Sequence, residues 1–91
     1  MSDVVNNKAD HRYELVVDGH LAAAHYKLDG NLITFVHTEV PPELGGRGVA
    51  SKLIQGALDQ VRASRLKVIA ECPFVKGWIG KHPEFRDLLQ S

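Results

Sequence analysis

A second cysteine is missing from this chain. Cys72 stands alone among 91 residues, which excludes an internal disulfide and any multi-cysteine metal centre. The expectation is a reduced, cytoplasmic setting. Net charge is missing too, because 11 acidic residues balance 11 lysines and arginines. A chain without a bulk field has no general pull on nucleic acid or on an anionic membrane surface. No apolar stretch approaches the roughly 20 residues that a membrane-spanning helix needs, and the N-terminus lacks the apolar core of a secretory signal. Repeats, low-complexity tracts and linkers are absent. His11, His20 and His25 fall in a tail, a turn and a strand, with no spacing that suggests a ligand set, so no metal is expected.

What is present is an ordinary globular composition, 44% apolar and 24% charged, sufficient for one small domain. Met1 to Asp10 is polar and reads as a flexible tail, leaving a domain at 11–91. Tyr13–Val17, Leu21–Leu28 and Leu32–Val40 read as strands, joined by turns at Asp18-Gly19-His20 and Asp29-Gly30-Asn31. Three alanines weaken the second strand. Pro41-Pro42 stops ladder pairing. Val49, Leu53, Ile54, Ala57, Leu58 and Val61 recur at helical spacing. Lys67–Cys72 is a fourth strand, entered after a helix and so parallel to the third. Phe74–Gly80 is a short helix, and Pro83 opens a last one through Leu89. The order is β-β-β-α-β-α, an α+β (mixed α/β) domain with an antiparallel meander followed by a parallel pair. A core this small is marginal, and a monomer or weak homodimer is expected.

The strand-to-helix junction is the informative point. Gly45-Gly46-Arg47-Gly48-Val49-Ala50 lets the backbone approach a ligand and aims amides at it from a helix N-terminus, an arrangement suited to a diphosphate. A tight turn needing glycine only for its dihedrals is the alternative. Two nucleotide motifs are excluded: no Gly-Lys-Ser/Thr run completes a P-loop, and the dinucleotide fingerprint would need G-x-G-x-x-G early in a βαβ unit.

Glu39-Val40-Pro41-Pro42-Glu43, then Gly46-Arg47-Gly48-Val49-Ala50, then Leu53-Ile54, resembles the acetyl-CoA-binding segment of the GNAT N-acetyltransferase superfamily, usually Gln/Arg-x-x-Gly-x-Gly/Ala. Gly48 and Ala50 match its last two marked positions. Gly45 stands where the family usually has Gln or Arg, so the loop loses one bracing side chain. Cys72-Pro73-Phe74-Val75, Trp78-Ile79 and His82-Pro83-Glu84-Phe85 are similar to a compact, single-domain GNAT-like group, and the resemblance runs from about Tyr13 to Leu89. It implies a minimal GNAT-like fold whose third and fourth strands splay, with acetyl-CoA or coenzyme A lying between them. Its pantetheine arm would pair with Thr38 to Val40. Its pyrophosphate would rest on the amides of Gly46, Arg47, Gly48, Val49 and Ala50, with Ser51 and Lys52 within reach.

The implied activity is transfer of an acetyl group to an amine, either a small molecule or a protein lysine. Glu39 and His37, two residues apart and so on one strand face, are both eligible as general base; each is otherwise a surface or hydrogen-bonded side chain. Cys72 is open to three readings: a nucleophile, the acid that protonates the departing thiolate, or a small apolar filler. His82, Pro83, Glu84 and Phe85 read as structural, with Phe85 beside Trp78 and Phe74. A binding module for coenzyme A without turnover, and an interaction domain on the same scaffold, are the alternatives to an enzyme.

Overall fold

The structure, a computed structural model, describes residues 4–90. Five strands lie in sequential order in one sheet: β1 (Val5–Asn7), β2 (Arg12–Val17), β3 (His20–Asp29), β4 (Leu32–Glu39) and β5 (Lys67–Ala70). The first four form an antiparallel meander, and β5 joins β4 in parallel. Helix α1 (Val49–Ala63) makes the crossover between β4 and β5, and α2 (Pro73–Lys81) follows β5. The β2–β3 turn places Asp18 and Gly19 at φ of 50° and 77°, the left-handed pair that matches strand twist in a two-residue hairpin.

Alternation sorts the sheet into two faces. Tyr13, Leu15, Ala22, Ala24, Tyr26, Ile33, Phe35 and Val68 point to the helices and are buried. Leu53, Ile54, Ala57, Leu58 and Val61 line the inner side of α1, and Val75, Trp78 and Ile79 that of α2. They form one cluster. The three alanines that weaken β3 as a strand are buried, and two of them, Ala22 and Ala24, belong to this cluster, where their small size lets a helix sit close. The other face carries Arg12, Glu14, Val16, Leu21, His25, His37 and Glu39, all half-buried or exposed.

Four details differ from the sequence reading. Of the expected tail, residues 1–3 lie outside the described residues, but Val5–Asn7 is a strand paired with Arg12–Glu14. Its anchors are polar and hard to see in sequence: Tyr26 donates its hydroxyl to Asn6 Oδ1 at 2.7 Å and Gln60 Nε2 donates to the Val4 carbonyl at 2.6 Å. Val4 also packs onto α1 at Gly56, where any Cβ would collide with it. β5 stops at Ala70, so Cys72 is not a strand residue but the N-cap of α2. The last element, Pro83–Leu88, is 3₁₀ rather than α, fastened to α1 by Arg62, which reaches Asp87 Oδ2 at 2.8 Å and the Glu84 carbonyl at 2.7 Å. Phe85 packs with Trp78, ring centroids 5.3 Å apart, while Phe74 is 42% exposed and turned elsewhere.

Tyr13 sits in the middle of this core, beside Tyr26 and Phe35. Burial, helped by the neighbouring Tyr26, pushes its phenol up to about 12. The unfolded chain ionises near 10, so between these values it releases a proton that the folded chain keeps, and stability falls as pH rises. Melting temperature should therefore be flat on Tyr13's account below about pH 10 and decline from about 10 to 12. Tyr13→Phe should shallow that decline; an unchanged alkaline slope in the variant would contradict the assignment.

Candidate functional site

One irregularity in β4 creates the site. Tyr26 is opposite Phe35, but the preceding residue of β3, His25, is opposite His37. Val36 is the extra residue of a β-bulge. The bulge shifts the alternation of β4, so that Thr38, paired with Ala24, lies on the helix side, while His37 and Glu39 face away. Pairing with β5 ends at the same place, at Phe35–Ala70. The Phe35 carbonyl accepts the N–H groups of Glu71 and Cys72 at 3.1 and 2.9 Å. Beyond it, β4 stays with β3 while the chain after β5 turns into α2, and a gap opens.

The free backbone groups at this gap follow from the ladder. Tyr26 N–H donates to the His11 carbonyl at 2.9 Å, toward β2. In an antiparallel ladder the direction alternates, so His25 and Ala23 address His37 and Glu39. Thr38, and Val40 after it, turn their peptide groups to the gap.

Two clefts meet at Val40. The first, about 300 Å³, lies between Val40, Leu44, the loop glycines Gly45, Gly46 and Gly48, the first turn of α1 at Val49, Ala50 and Ser51, and Phe74. Leu44 is buried and anchors the loop, which follows a 3₁₀ turn at Pro42–Leu44. Gly46 and Gly48 have φ of 76° and 70°, a region that side chains disfavour. Gly48 caps α1 without any side-chain bond, and no acid occupies the first turn. The leading amides of α1 are therefore unspent on side chains. Lys52 N–H is already bonded to the Gly48 carbonyl at 3.1 Å, so this residue offers only its exposed ammonium. Arg47 does not line the cleft; its guanidinium meets Asp18 at 2.8 Å. Ser51 accepts the Trp78 indole N–H at 2.7 Å, which ties α2 to α1 and leaves the hydroxyl proton to donate.

The second cleft, about 430 Å³, is lined by Leu21, by His37 to Val40 at the end of β4, and by Pro41-Pro42. Glu39 is held by His25, whose Nε2 lies 2.6 Å from Oε1. His25 was not singled out in the sequence, because only the bulge register brings it level with His37. Phe74, the wall of the first cleft, was also missed.

Cys72 is free and only 4% exposed; it lines neither cleft, but it lies against Thr38, which lines the second. Its Sγ is 3.4 Å from Thr38 Oγ1. Burial pushes the thiol up, but the Thr38 hydroxyl and the N–H groups of Val75, Phe74 and Thr38 together bring it below its ordinary value. No basic side chain is needed, since the amides of α2's first turn and of the β4 gap converge on the sulfur. The Cys-Pro pair was the available signal: proline suits the first helical position, which makes Cys72 the cap. Among the described residues, no group of three or more His, Cys, Asp or Glu is placed to hold a metal ion, and no helix is long and apolar enough to cross a membrane. Thr38→Val removes one donor to the sulfur, so the pH midpoint of thiolate absorbance at Cys72 should rise in the folded variant. A midpoint that stays in place would remove Thr38 from the thiol's environment.

This geometry coincides with three comparisons. A family model described as GCN5-related N-acetyl-transferase matches residues 12–88. The solution structure of a GCN5-like protein from Staphylococcus aureus superposes with a TM-score of 0.74 at 30% identity, covering 98% of this chain and 88% of that one. Protein NATD1 of Homo sapiens is 35% identical over 52 residues, 57% of this chain and 46% of that protein. The Mus musculus protein of the same name matches over 57% of this chain and 47% of its own length, also at 35% identity. The chain thus aligns with about half the length of these curated relatives. A matching family model over nearly the whole sheet, and a solved relative of the same architecture, place the chain in the GCN5-related N-acetyltransferase family.

Proposed function

We propose that the protein transfers the acetyl group of acetyl-CoA to an amine. The observation that carries this reading is the gap between β4 and β5, with the Thr38 and Val40 peptide groups turned to it from one wall, a glycine-led helix start without a side-chain cap at its mouth and a hydrogen-bonded thiol against Thr38. The extended pantetheine arm pairs with the Thr38–Val40 edge as an added strand. Its pyrophosphate takes the amides from Gly46 to Ser51, with Phe74 closing the far side. Lys52 contributes long-range attraction only. Arg47 contributes a charge once released from Asp18.

The acceptor amine occupies the second cleft. It gives up a proton to Glu39 or His37 and attacks the thioester carbon. Gap-facing amides stabilise the developing oxyanion. The carbon–sulfur bond breaks with its electron pair on the coenzyme sulfur, which takes a proton from Cys72. Among the roles open to Cys72 we take the acid: a residue 4% exposed against Thr38 can pass a proton through the Thr38 hydroxyl, whereas attack would need the acetyl carbon to reach the sulfur itself. Its amide donors instead stabilise the thiolate left when it releases a proton.

Ala50→Glu separates binding from folding. A carboxylate in the first turn of α1 suits the helix dipole, so the melting temperature should hold or rise. The same carboxylate faces the cleft, so stabilisation by acetyl-CoA should vanish; undiminished coenzyme binding would contradict the phosphate assignment. Cys72→Ala should lower kcat for release of free coenzyme A by roughly 100-fold, as loss of an acid does, with coenzyme affinity unchanged. Full activity in this variant would reduce Cys72 to packing, and acetylated Cys72 found by mass spectrometry would make it a nucleophile.

A further inference from the structure

Arg12, His25 and His37 form a row across β2, β3 and β4 on the uncovered face, and Glu14, Ala23 and Glu39 form the next row. Ala23 is small, and it is 4% exposed although no helix covers it. Its neighbours lean over it: Arg12 Nε meets Glu14 Oε2 at 2.6 Å and His25 Nε2 meets Glu39 Oε1 at 2.6 Å. The first pair runs along β2, and the second crosses diagonally from β3 to β4. Glu14 is further held by Asn7, and the Asn7 and Arg12 bonds keep its carboxyl below the usual range. Arg12 donates to Glu14 and also meets Asp10 at 3.8 Å, so Glu39 feels its charge but takes its hydrogen bond from His25. The His25 and His37 rings stack at 6.0 Å with 21° between planes, which braces His25 from the side opposite Arg12. Lys27, two residues along β3, is the remaining charge on this face near His25.

We infer that His25 is a positioning residue for the acceptor amine. It does not line the acceptor cleft, whereas Glu39 does. An ionised carboxylate only accepts, so the imidazole Nε2 carries the hydrogen in this pair. With Oε1 so engaged, Oε2 has no side-chain partner among the described residues and is left for the cleft. Glu39 is otherwise an exposed side chain at a strand end, free to rotate. His25 removes that freedom, and the Val36 bulge is what brings His25 level with it. Glu39 then offers a fixed single carboxylate to a primary amine on a flexible stem that enters along Leu21 and Pro41-Pro42. The inference rests on the acyltransfer reading above.

Release of free coenzyme A is followed with acetyl-CoA and two probes, 1,5-diaminopentane and poly-lysine, in the parent, His25→Ala, His25→Gln and Glu39→Gln, with coenzyme affinity measured in parallel. His25→Ala should raise the amine KM and lower kcat/KM by about tenfold or more, as misplacement of a reacting group does, while acetyl-CoA affinity stays within about twofold of the parent. Gln carries a side-chain N–H donor, so His25→Gln should recover most of the loss in the Glu39 parent and nothing when combined with Glu39→Gln. Parental kinetics in His25→Ala, or equal loss in His25→Ala and His25→Gln, would overturn the positioning role while leaving the acyltransferase reading intact. A parent that binds acetyl-CoA but releases none with either probe would overturn both the amine assignment and the role built on it.

Discussion

The site depends on the end of one parallel ladder. β4 and β5 pair only from Leu32–Lys67 to Phe35–Ala70, because the Val36 bulge turns β4 and the Cys72-Pro73 pair turns the chain after β5 into a helix. Had the ladder continued, the peptide groups of Thr38 and Val40 would be spent inside the protein. Instead they face the gap beside a helix start without a side-chain cap, where the Thr38 N–H reaches the Cys72 sulfur. The same bulge decides which side chains stand where. Without it His37 and Glu39 would point into the core, a costly place for a carboxylate, and Thr38 would be on the outer face, away from Cys72.

The construction is economical in residues. In many folds a ligand site is walled by added domains or long loops. Here the two clefts share Val40, and the elements that form them are those that make the core. Ser51 illustrates the overlap: its hydroxyl receives the Trp78 indole and so locks α2 to α1, yet it stands in the helix turn that lines the first cleft. Cys72 does likewise, capping α2 while its sulfur collects donors from both walls of the gap. Change at either position therefore acts on packing and on the site together, and readouts that separate binding from stability carry more information than activity alone.

Much of this was legible in the chain. The three-strand meander, the crossover helix and the parallel return follow from turn chemistry and from the spacing of Val49, Leu53, Ile54, Ala57, Leu58 and Val61, since both signals are local. The glycine loop was legible because left-handed φ and an uncapped helix start demand glycine. What escaped was non-local. β1 is held by hydrogen bonds from Tyr26 and Gln60, residues far along the chain, and its own Val5-Asn6-Asn7 carries no strand pattern. The bulge leaves no mark in β4, as Val36 is an ordinary strand residue; His25 was unreadable for the same reason. The contact of the Arg47 guanidinium with Asp18 in the β2–β3 turn joins segments far apart in the chain and left no local signal either.

The central claim is that an opened strand pair and a bare helix start act as one receptor for a thioester-bearing nucleotide. Titrating acetyl-CoA into protein with labelled backbone amides tests it most directly. The account predicts that the amides of Thr38 and Val40 and those from Gly46 to Ser51 shift together, on a single saturation curve, with β1 and the β2–β3 turn unmoved apart from Asp18. Shifts confined to the loop, or none at millimolar coenzyme, would contradict it.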